Sequence, residues 1–423
     1  MAYFTLEALP ARHGDCLMLH FGDEAAPGLV VIDGGPATVW KKALEPRLDS
    51  IRQDRPGGGA IDLLMVSHID DDHIQGIVEF LGAWVAADED GREWHYPVAE
   101  LWHNSFERVT GADPKQVTAS VLASTGAAAL PDIELAPEEG EDEEAAERRI
   151  DAARAAVMIL AGVAQGARVR RDSGKLGIPR NTGFDGLVRP GAGPQIPFEV
   201  GSELTFRVVG PLPDQLEKLR DKFAAELPPQ EALAAYTDQS VNNLSSIVVL
   251  ARFGDKTMLL TGDARGDYLL EGLAAEGLLQ EGGLHVDILK MQHHGSDRNT
   301  RQDFFETVTA DHYVASADGA HGNPDRDTFE MLIEARGQDA RYTVHLTHPV
   351  AAIDAKRKEE WEKDRAADIR KGKKEVRAEW RPETDAIATL IAGKQAEGYR
   401  FEVSEPGGGR RWPRIDLLDP LPF

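Results

Sequence analysis

The chain has 423 residues, enough for one large or two ordinary domains with a sizeable core. Hydrophobic residues make up 42%, as in a globular protein, and the formal net charge of −25 opposes non-specific attraction to nucleic acid or anionic lipid, leaving room only for a local basic groove. The single cysteine, Cys16, excludes an intramolecular disulfide and a cysteine-based zinc cluster, and favours a reducing compartment.

The first residues run straight into a strand-like pattern, without a basic stretch followed by an apolar one, and no apolar run has the length of a membrane span. The expectation is a soluble, cytoplasmic protein with no membrane partner. Residues 3–9, 16–21 and 29–32 read as strands, the last ending in the turn Asp33-Gly34-Gly35, and 38–52 as a helix. Residues 61–66 are a nearly continuous apolar run, as in a strand buried on both faces, ending at Ser67-His68. The apolar residues Ile74, Ile77, Val78, Leu81 and Trp84 recur at helical spacing, so a helix starts near Asp72. A short strand is expected at 98–102, ending in His103-Asn104.

From 107 to 200 the pattern degrades: residues 137–144 are acidic and solvated, 145–164 are alanine-rich and helical, and 172–197 form Gly/Pro-rich loops. Regularity returns with strands at 202–209 and 246–253, the turn Gly254-Asp255, and a strand at 256–260 that ends in Thr261-Gly262-Asp263. A helix to about 276 follows, then a buried strand at 286–291 ending at His293-His294-Gly295-Ser296. Strands at 313–316 and 342–346 flank a helix at 325–336; residues 354–381 read as a solvated charged helix and 399–403 as a last strand. There is no internal repeat of 20–50 residues.

Three strand ends carry one chemical type. His68, Asp70, Asp72 and His73 follow the first buried strand, Asp263 the second, and His293 and His294 the third. Strand ends are rigid and adjacent, and imidazole with carboxylate is a donor set for zinc, manganese or iron. His13, in the turn His13-Gly14-Asp15, reads equally as structural or as near the site; His285, His312, His345 and His348 read as core or surface histidines.

His68-Ile69-Asp70-Asp71-Asp72-His73 resembles the HxHxDH motif of the metallo-β-lactamase superfamily. Ile32-Asp33-Gly34-Gly35 resembles its early aspartate motif, Thr261-Gly262-Asp263 its bridging aspartate, and His293-His294-Gly295-Ser296 its last histidine. Asn242-Asn243-Leu244-Ser245-Ser246 and Gly322-Asn323-Pro324 are similar to one branch, which contains the metallo-hydrolase domain of the competence DNA-uptake channel and stand-alone relatives, some of them found in bacterial defence settings.

The resemblance implies an α+β fold, the four-layer αβ/βα sandwich, with a helical and loop insertion and a C-terminal charged helix. Residues 1–106 would form the N-terminal half of the domain, 107–200 the insertion, 201–350 the C-terminal half, and 351–423 a charged helix and final strand packing on it. It implies two divalent metal ions, Zn2+ or Mn2+, or Fe2+. His68, Asp70 and His103 would hold the first, with Asn104 as the rival of His103. Asp72, His73 and His294 would hold the second, with Asp263 bridging and Asp72 and Asp263 the catalytic carboxylates. Only one of His293 and His294 is expected to bind, and His294 is favoured. Asp33, Asn243 and His293 would orient ligands or meet substrate. A dinuclear site supplies a bridging hydroxide and a clamp for developing negative charge. The branch favours a small-molecule or short nucleic-acid phosphodiester as substrate, with an ester, lactone or thioester hydrolase, or a non-catalytic metal-binding adaptor, as alternatives. Asp70 in place of an imidazole hardens the first site and shifts preference towards Mn2+ or Fe2+. No protein partner can be named.

Overall fold

The structure is a computed structural model that describes residues 1–55, 58–111, 161–191, 196–197, 204–224 and 243–423. The acidic run 137–144, most of the alanine-rich stretch, and Asn242 lie outside the described residues.

Fourteen strands are described. They run β1 (Ala2–Ala8), β2 (Leu17–Asp23), β3 (Pro27–Ile32), β4 (Leu63–Val66), β5 (Leu101–His103), β6 (Ile196–Pro197) and β7 (Leu204–Gly210). Then follow β8 (Val248–Phe253), β9 (Lys256–Leu260), β10 (Leu284–Lys290), β11 (Val308–Ala315), β12 (Thr343–Leu346), β13 (Glu402–Ser404) and β14 (Arg414–Asp416). They form two mixed sheets, in the orders β14-β1-β2-β3-β4-β5 and β13-β12-β11-β10-β9-β8-β7-β6.

The described helices are α1 (Glu45–Asp54), α2 (Asp71–Glu89), α3 (Phe106–Thr110), α4 (161–175), α5 (Pro213–Ala224) and α6 (Gly266–Ala275). They continue with α7 (Gln302–Thr307), α8 (Arg326–Arg336), α9 (Val350–Arg370), α10 (Pro382–Asp385) and α11 (Ile387–Ala396).

The period of two along a strand divides each central strand between two cores. In β4, Leu63 and Met65 face the other sheet, and Leu64 and Val66 face the helices. In β10, Ile288 lies between the sheets, and its neighbour Leu289 lies under the opposite helical layer. Phe4, Val30 and Met65 of one sheet meet Phe206, Val249 and Met258 of the other. The stripe Ile74, Ile77, Val78 and Leu81 lays α2 on the first sheet, while Leu269, Phe329 and Ile353 cover the second. The result is the α+β sandwich, helices outside and sheets inside.

Several elements differ from the sequence reading. Alanine and arginine keep helix α4 going to residue 175, so 172–175 are helical and not loop. The charged segment is helical only from Val350 to Arg370 and is not wholly solvated. Ile353 anchors it, and the Arg357 guanidinium donates to Gly322 O (3.0 Å) and Asp385 O (2.8 Å). Charge alone concealed that the long stem of an arginine can be buried while its head finds carbonyls. The C-terminal residues supply an edge strand to each sheet, β13 beside β12 and β14 beside β1.

Parallel pairing places the site. β3, β4 and β5 run parallel, as do β9, β10, β11 and β12. Their carboxyl ends therefore open on one side, where crevices of mixed sheets collect ligands. The start of α2 is fixed to the turn after β3. Gly34 N–H donates to His73 O and Gly76 N–H to Gly35 O, both at 2.8 Å. A Cβ on Gly76 would stand 1.9 Å from Gly34 O, so glycine is what lets the two backbones touch.

Candidate metal centre

Asp263 follows β9 and is the hub. Its Oδ2 lies 3.4 Å from His294 Nε2, 3.6 Å from His293 Nε2 and 3.8 Å from His68 Nε2. Its Oδ1 lies 3.2 Å from His73 Nε2. Asp72, in the first turn of α2, puts Oδ1 3.9 Å from His73 Nε2 and Oδ2 3.4 Å from His294 Nε2. Asp70 puts Oδ2 3.5 Å from His68 Nε2. Six of the seven residues expected to ligate metal are therefore brought together, along with His293.

The rings are held from behind. Asp33 Oδ2 accepts from His73 Nδ1 at 2.8 Å, and the Asp33 carboxylate also accepts from Ser67 N–H (2.7 Å) and Ser67 Oγ–H (2.6 Å). His68 Nδ1 meets Ser67 Oγ at 3.0 Å, His294 Nδ1 donates to Ser316 O at 3.0 Å, and His293 Nδ1 lies 3.3 Å from the Asn243 amide. Each Nδ1 is engaged outward, so each Nε2 is turned to Asp263; such outer partners fix tautomer and ring plane at metal sites.

Electrostatics follow from the burial of acids and imidazoles together. Burial alone would lower the pKa of His73, but Asp263, Asp72 and Asp33 outweigh it and hold the ring well above its ordinary value. His294 is likewise lowered by burial and raised beyond that by Asp263 and Asp15. Burial would raise Asp263, and His294, His73 and His293 drive it well below the usual carboxylate range. The carboxylates thus demand cations beside them, which protons on the imidazoles supply and a metal would supply better.

The donor set fits a metal. His73 Nε2 and His294 Nε2 stand 3.1 Å apart, a spacing that requires a proton or another cation at one of them. Among the described residues, His68 Nε2 and Asp263 Oδ1 are buried without a hydrogen-bond partner, which folded proteins rarely allow. Asp15, His73, Asp263 and His294 offer ligand atoms all within 4.8 Å of one another.

His103 is not brought into this cluster. It pairs in register with Val66, on the helix-covered face, and both ring nitrogens are buried without hydrogen-bond partners among the described residues. Gly166 of α4 lies over it, and burial pulls its pKa down to about 4. Asn104 is committed elsewhere: its amide donates to Val188 O (2.9 Å) and accepts from Val188 N–H (2.8 Å).

Sequence reasoning passed over Asp15 and Lys290. Lys290 Nζ lies 2.6 Å from Asp15 Oδ2, and Asp15 Oδ1 lies 3.4 Å from Nδ1 of His294, the nitrogen that turns away from Asp263. The Gly-Asp turn at 14–15 was the available signal, and no pattern linked it to a lysine on β10. His13 stacks edge-on against His321 at 5.3 Å, and its turn packs on Asp72, with Asp15 N–H donating to Asp72 O at 3.3 Å. His321 N–H donates to Glu360 of α9 at 2.5 Å, so the charged helix braces the rim.

The expectation that adjacent histidines point apart fails for a backbone reason. His293 (φ 46°, ψ 49°) and His294 (φ 57°, ψ 17°) are both left-handed. That turn sends both rings to the same carboxylate.

Compared with known proteins, residues 26–154 match the model of the Metallo-beta-lactamase superfamily. No curated protein matches the chain. The matched span takes in Asp33 and His68–His73; the fold then brings Asp263 and His294, beyond it, to the same point. The chain carries a metallo-beta-lactamase superfamily domain at residues 26–154, in a superfamily made up mostly of hydrolases.

Proposed function

We propose that the chain is a metal-dependent hydrolase acting on small or single-stranded phosphodiesters. The observation that carries this reading is the Asp263 carboxylate ringed by the Nε2 atoms of His68, His73, His293 and His294 within 3.8 Å. His68 and Asp70 on one side, and Asp72, His73 and His294 on the other, would hold two ions with Asp263 between them. Such a pair supplies an activated water at neutral pH and charge neutralisation on both sides of a displacement.

The chain's own residues do the rest. Asp33, Ser67 and Ser316 fix the imidazoles, so the site is rigid before substrate arrives. The surrounding rim is polar: Asn243 and Ser296 are buried beside the pair of histidines, Asp297 and Arg298 are exposed, and His13, in the turn that packs on Asp72, meets His321. Hydrogen-bond donors of this kind suit phosphate oxygens, and an exposed arginine can pair with them in bidentate fashion. The net charge of −25 opposes long duplex DNA beyond the local site and so favours short or single-stranded substrates.

The test is turnover by purified, Mn2+-loaded protein of bis(p-nitrophenyl) phosphate, a short single-stranded oligonucleotide, a β-lactam, a lactone and a thioester. The expected result is cleavage of the first two and negligible turnover of the lactam. Efficient lactone or thioester hydrolysis without phosphodiesterase activity would move the reading to an ester hydrolase. Metal binding with no turnover of any class would leave a metal-binding adaptor.

A further inference from the structure

Resting on the dinuclear reading above, we propose that His293, and not His103, completes the first metal set, so that the adjacent pair His293–His294 serves one ion each across Asp263. Three independent features converge on this.

The first is position. His293 Nε2 is 3.6 Å from Asp263 Oδ2, slightly nearer than His68 Nε2 at 3.8 Å, and His68 in turn is 3.5 Å from Asp70. Asp70 stands beside His68, and Asp72 beside His73 and His294, which sorts two sets around Asp263; His293 meets them through Asp263 Oδ2. Assigned to the first set, His293 adds an imidazole where that set has two carboxylates and only one other imidazole.

The second is backbone strain at the histidine pair. Two successive non-glycine residues, His293 and His294, sit in the left-handed region, which side chains disfavour. The conformation is held by His293 N–H to Gly262 O (3.2 Å), Ser296 N–H to His293 O (2.9 Å) and Asp325 N–H to Gly295 O (2.9 Å). If His294 alone were needed, an ordinary turn with a single inward ring would suffice. The strained turn is what brings two consecutive Nε2 atoms to one carboxylate oxygen.

The third is the exclusion of His103. Its register partner Val66 lies in the helix-covered core, and a Cβ on Gly166 would stand 3.5 Å from His103 Nε2. Helix α4 is locked there, with Gln165 donating to Asp71 Oδ1 at 2.6 Å and to Gln75 Oε1 at 2.9 Å. His103 is packed between sheet and helix.

For His293 Nε2 to offer a lone pair, the ring proton must sit on Nδ1, so Asn243 must present Oδ1 to it. A half-turn of the Asn243 amide would meet this need and would give its buried Oδ1, without a partner among the described residues, a hydrogen bond.

The experiment uses the full chain, loaded with Mn2+ or with Co2+ and freed of excess metal. Metal per chain is measured by elemental analysis, and ligand-field absorption is recorded for the Co2+ form. The parent is expected to hold about two ions, His293→Ala about one, and His103→Leu about two. The Co2+ spectrum should change in His293→Ala and persist in His103→Leu. Because His103 is buried, circular dichroism accompanies that variant, and His103→Phe replaces it if it does not fold. His293 is partly exposed and its replacement leaves the core intact. Two ions retained in His293→Ala, or one lost in either folded His103 variant, overturns this inference alone. A parent chain that binds no metal overturns the dinuclear reading and this inference with it.

Discussion

Lys290 places its ammonium 2.6 Å from the carboxylate of Asp15, and both side chains are buried. The pair stands directly behind His294, with Asp15 Oδ1 3.4 Å from its Nδ1, while Lys290 also donates to Met291 O at 2.9 Å. Burial works against the charge on Asp15; Lys290 and His294 overcome it and hold the carboxyl well below its ordinary range. Removing one member of such a pair leaves a buried charge alone. Lys290→Met should cost about 3–5 kcal/mol in urea unfolding. Asp15→Asn on that background should restore part of the loss, since the two residues couple directly. A Lys290→Met protein within about 0.5 kcal/mol of the parent would show the pair to be dispensable.

Gly76 sets helix propensity against steric contact. Alanine is favoured over glycine inside a helix by about 1 kcal/mol. Here an added Cβ would meet Gly34 O at 1.9 Å and Gly34 C at 2.6 Å, both backbone atoms that cannot swing aside. The clash wins. Gly76→Ala should lower stability by about 1–3 kcal/mol, and should weaken metal binding because it pushes α2, with Asp72 and His73, away from the Asp33 turn. Unchanged stability and metal content would contradict the close approach.

These cases show what the sequence makes legible. The clustered residues after β4, β9 and β10 were readable because each follows an apolar run that has to be a buried strand, and strand ends converge. Asp33 was readable for the same reason. Asp15 was not, because it lies in a loop between antiparallel strands and gains its meaning only from Lys290, 275 residues later. His103 also ends a strand, and its register with Val66 places it on the face that the helical layer covers. His293 misled because neighbouring side chains normally diverge, and no sequence rule signals two left-handed histidines. Of the C-terminal strands, β13 falls at the end of the strand read at 399–403, whereas β14 went unread because three residues are too short to show a period.

Glu7 predicts an acid limit on stability. Its carboxylate accepts from His20 Nε2 (3.0 Å), Arg47 Nε (2.8 Å) and Trp412 Nε1 (3.1 Å), joining β1, β2, α1 and the C-terminal segment. Burial opposes the charge, but the His20 hydrogen bond and Arg47 outweigh it and take the pKa from 4.5 to about 2. A depressed folded-state pKa stabilises the fold above the unfolded value and loses that contribution as pH falls from 4.5 to about 2. Glu7→Gln should therefore flatten the pH dependence of unfolding in that window. Arg47→Met should cost about 3 kcal/mol at neutral pH by stranding the carboxylate. An unaltered acid limb in Glu7→Gln would rule out this residue as its source.

Asp70 should govern metal choice. Its carboxylate stands 3.5 Å from His68 Nε2, where it adds a hard oxygen donor to the first set. Hard ligands favour Mn2+ or Fe2+ over Zn2+ relative to an imidazole-rich set, although zinc leads in raw affinity. Turnover should be higher with Mn2+ than with Zn2+, and Asp70→His should shift the ratio towards zinc. Equal or better turnover with zinc in the parent would count against Asp70 as a ligand.

Asp33 offers the sharpest test of how the imidazoles are aimed. Its two carboxylate oxygens accept three hydrogen bonds, from Ser67 N–H (2.7 Å), Ser67 Oγ–H (2.6 Å) and His73 Nδ1–H (2.8 Å). The residue is itself left-handed, at φ 58°, a conformation asparagine tolerates well. Asp33→Asn therefore keeps shape and backbone and changes only the hydrogen-bond chemistry. The amide oxygen can still accept from Ser67 N–H, but its NH2 then faces His73 Nδ1 as a donor. That inverts the tautomer, placing the ring proton on Nε2, the atom that faces Asp263 at 3.2 Å. A protonated Nε2 cannot bind metal, so affinity at the second set should fall by about 10–100-fold, with circular dichroism unchanged. Activity should fall with it and recover partly at high Mn2+ concentration, because the defect lies in binding. Full metal affinity in a folded Asp33→Asn protein would mean that His73 is oriented by its packing alone.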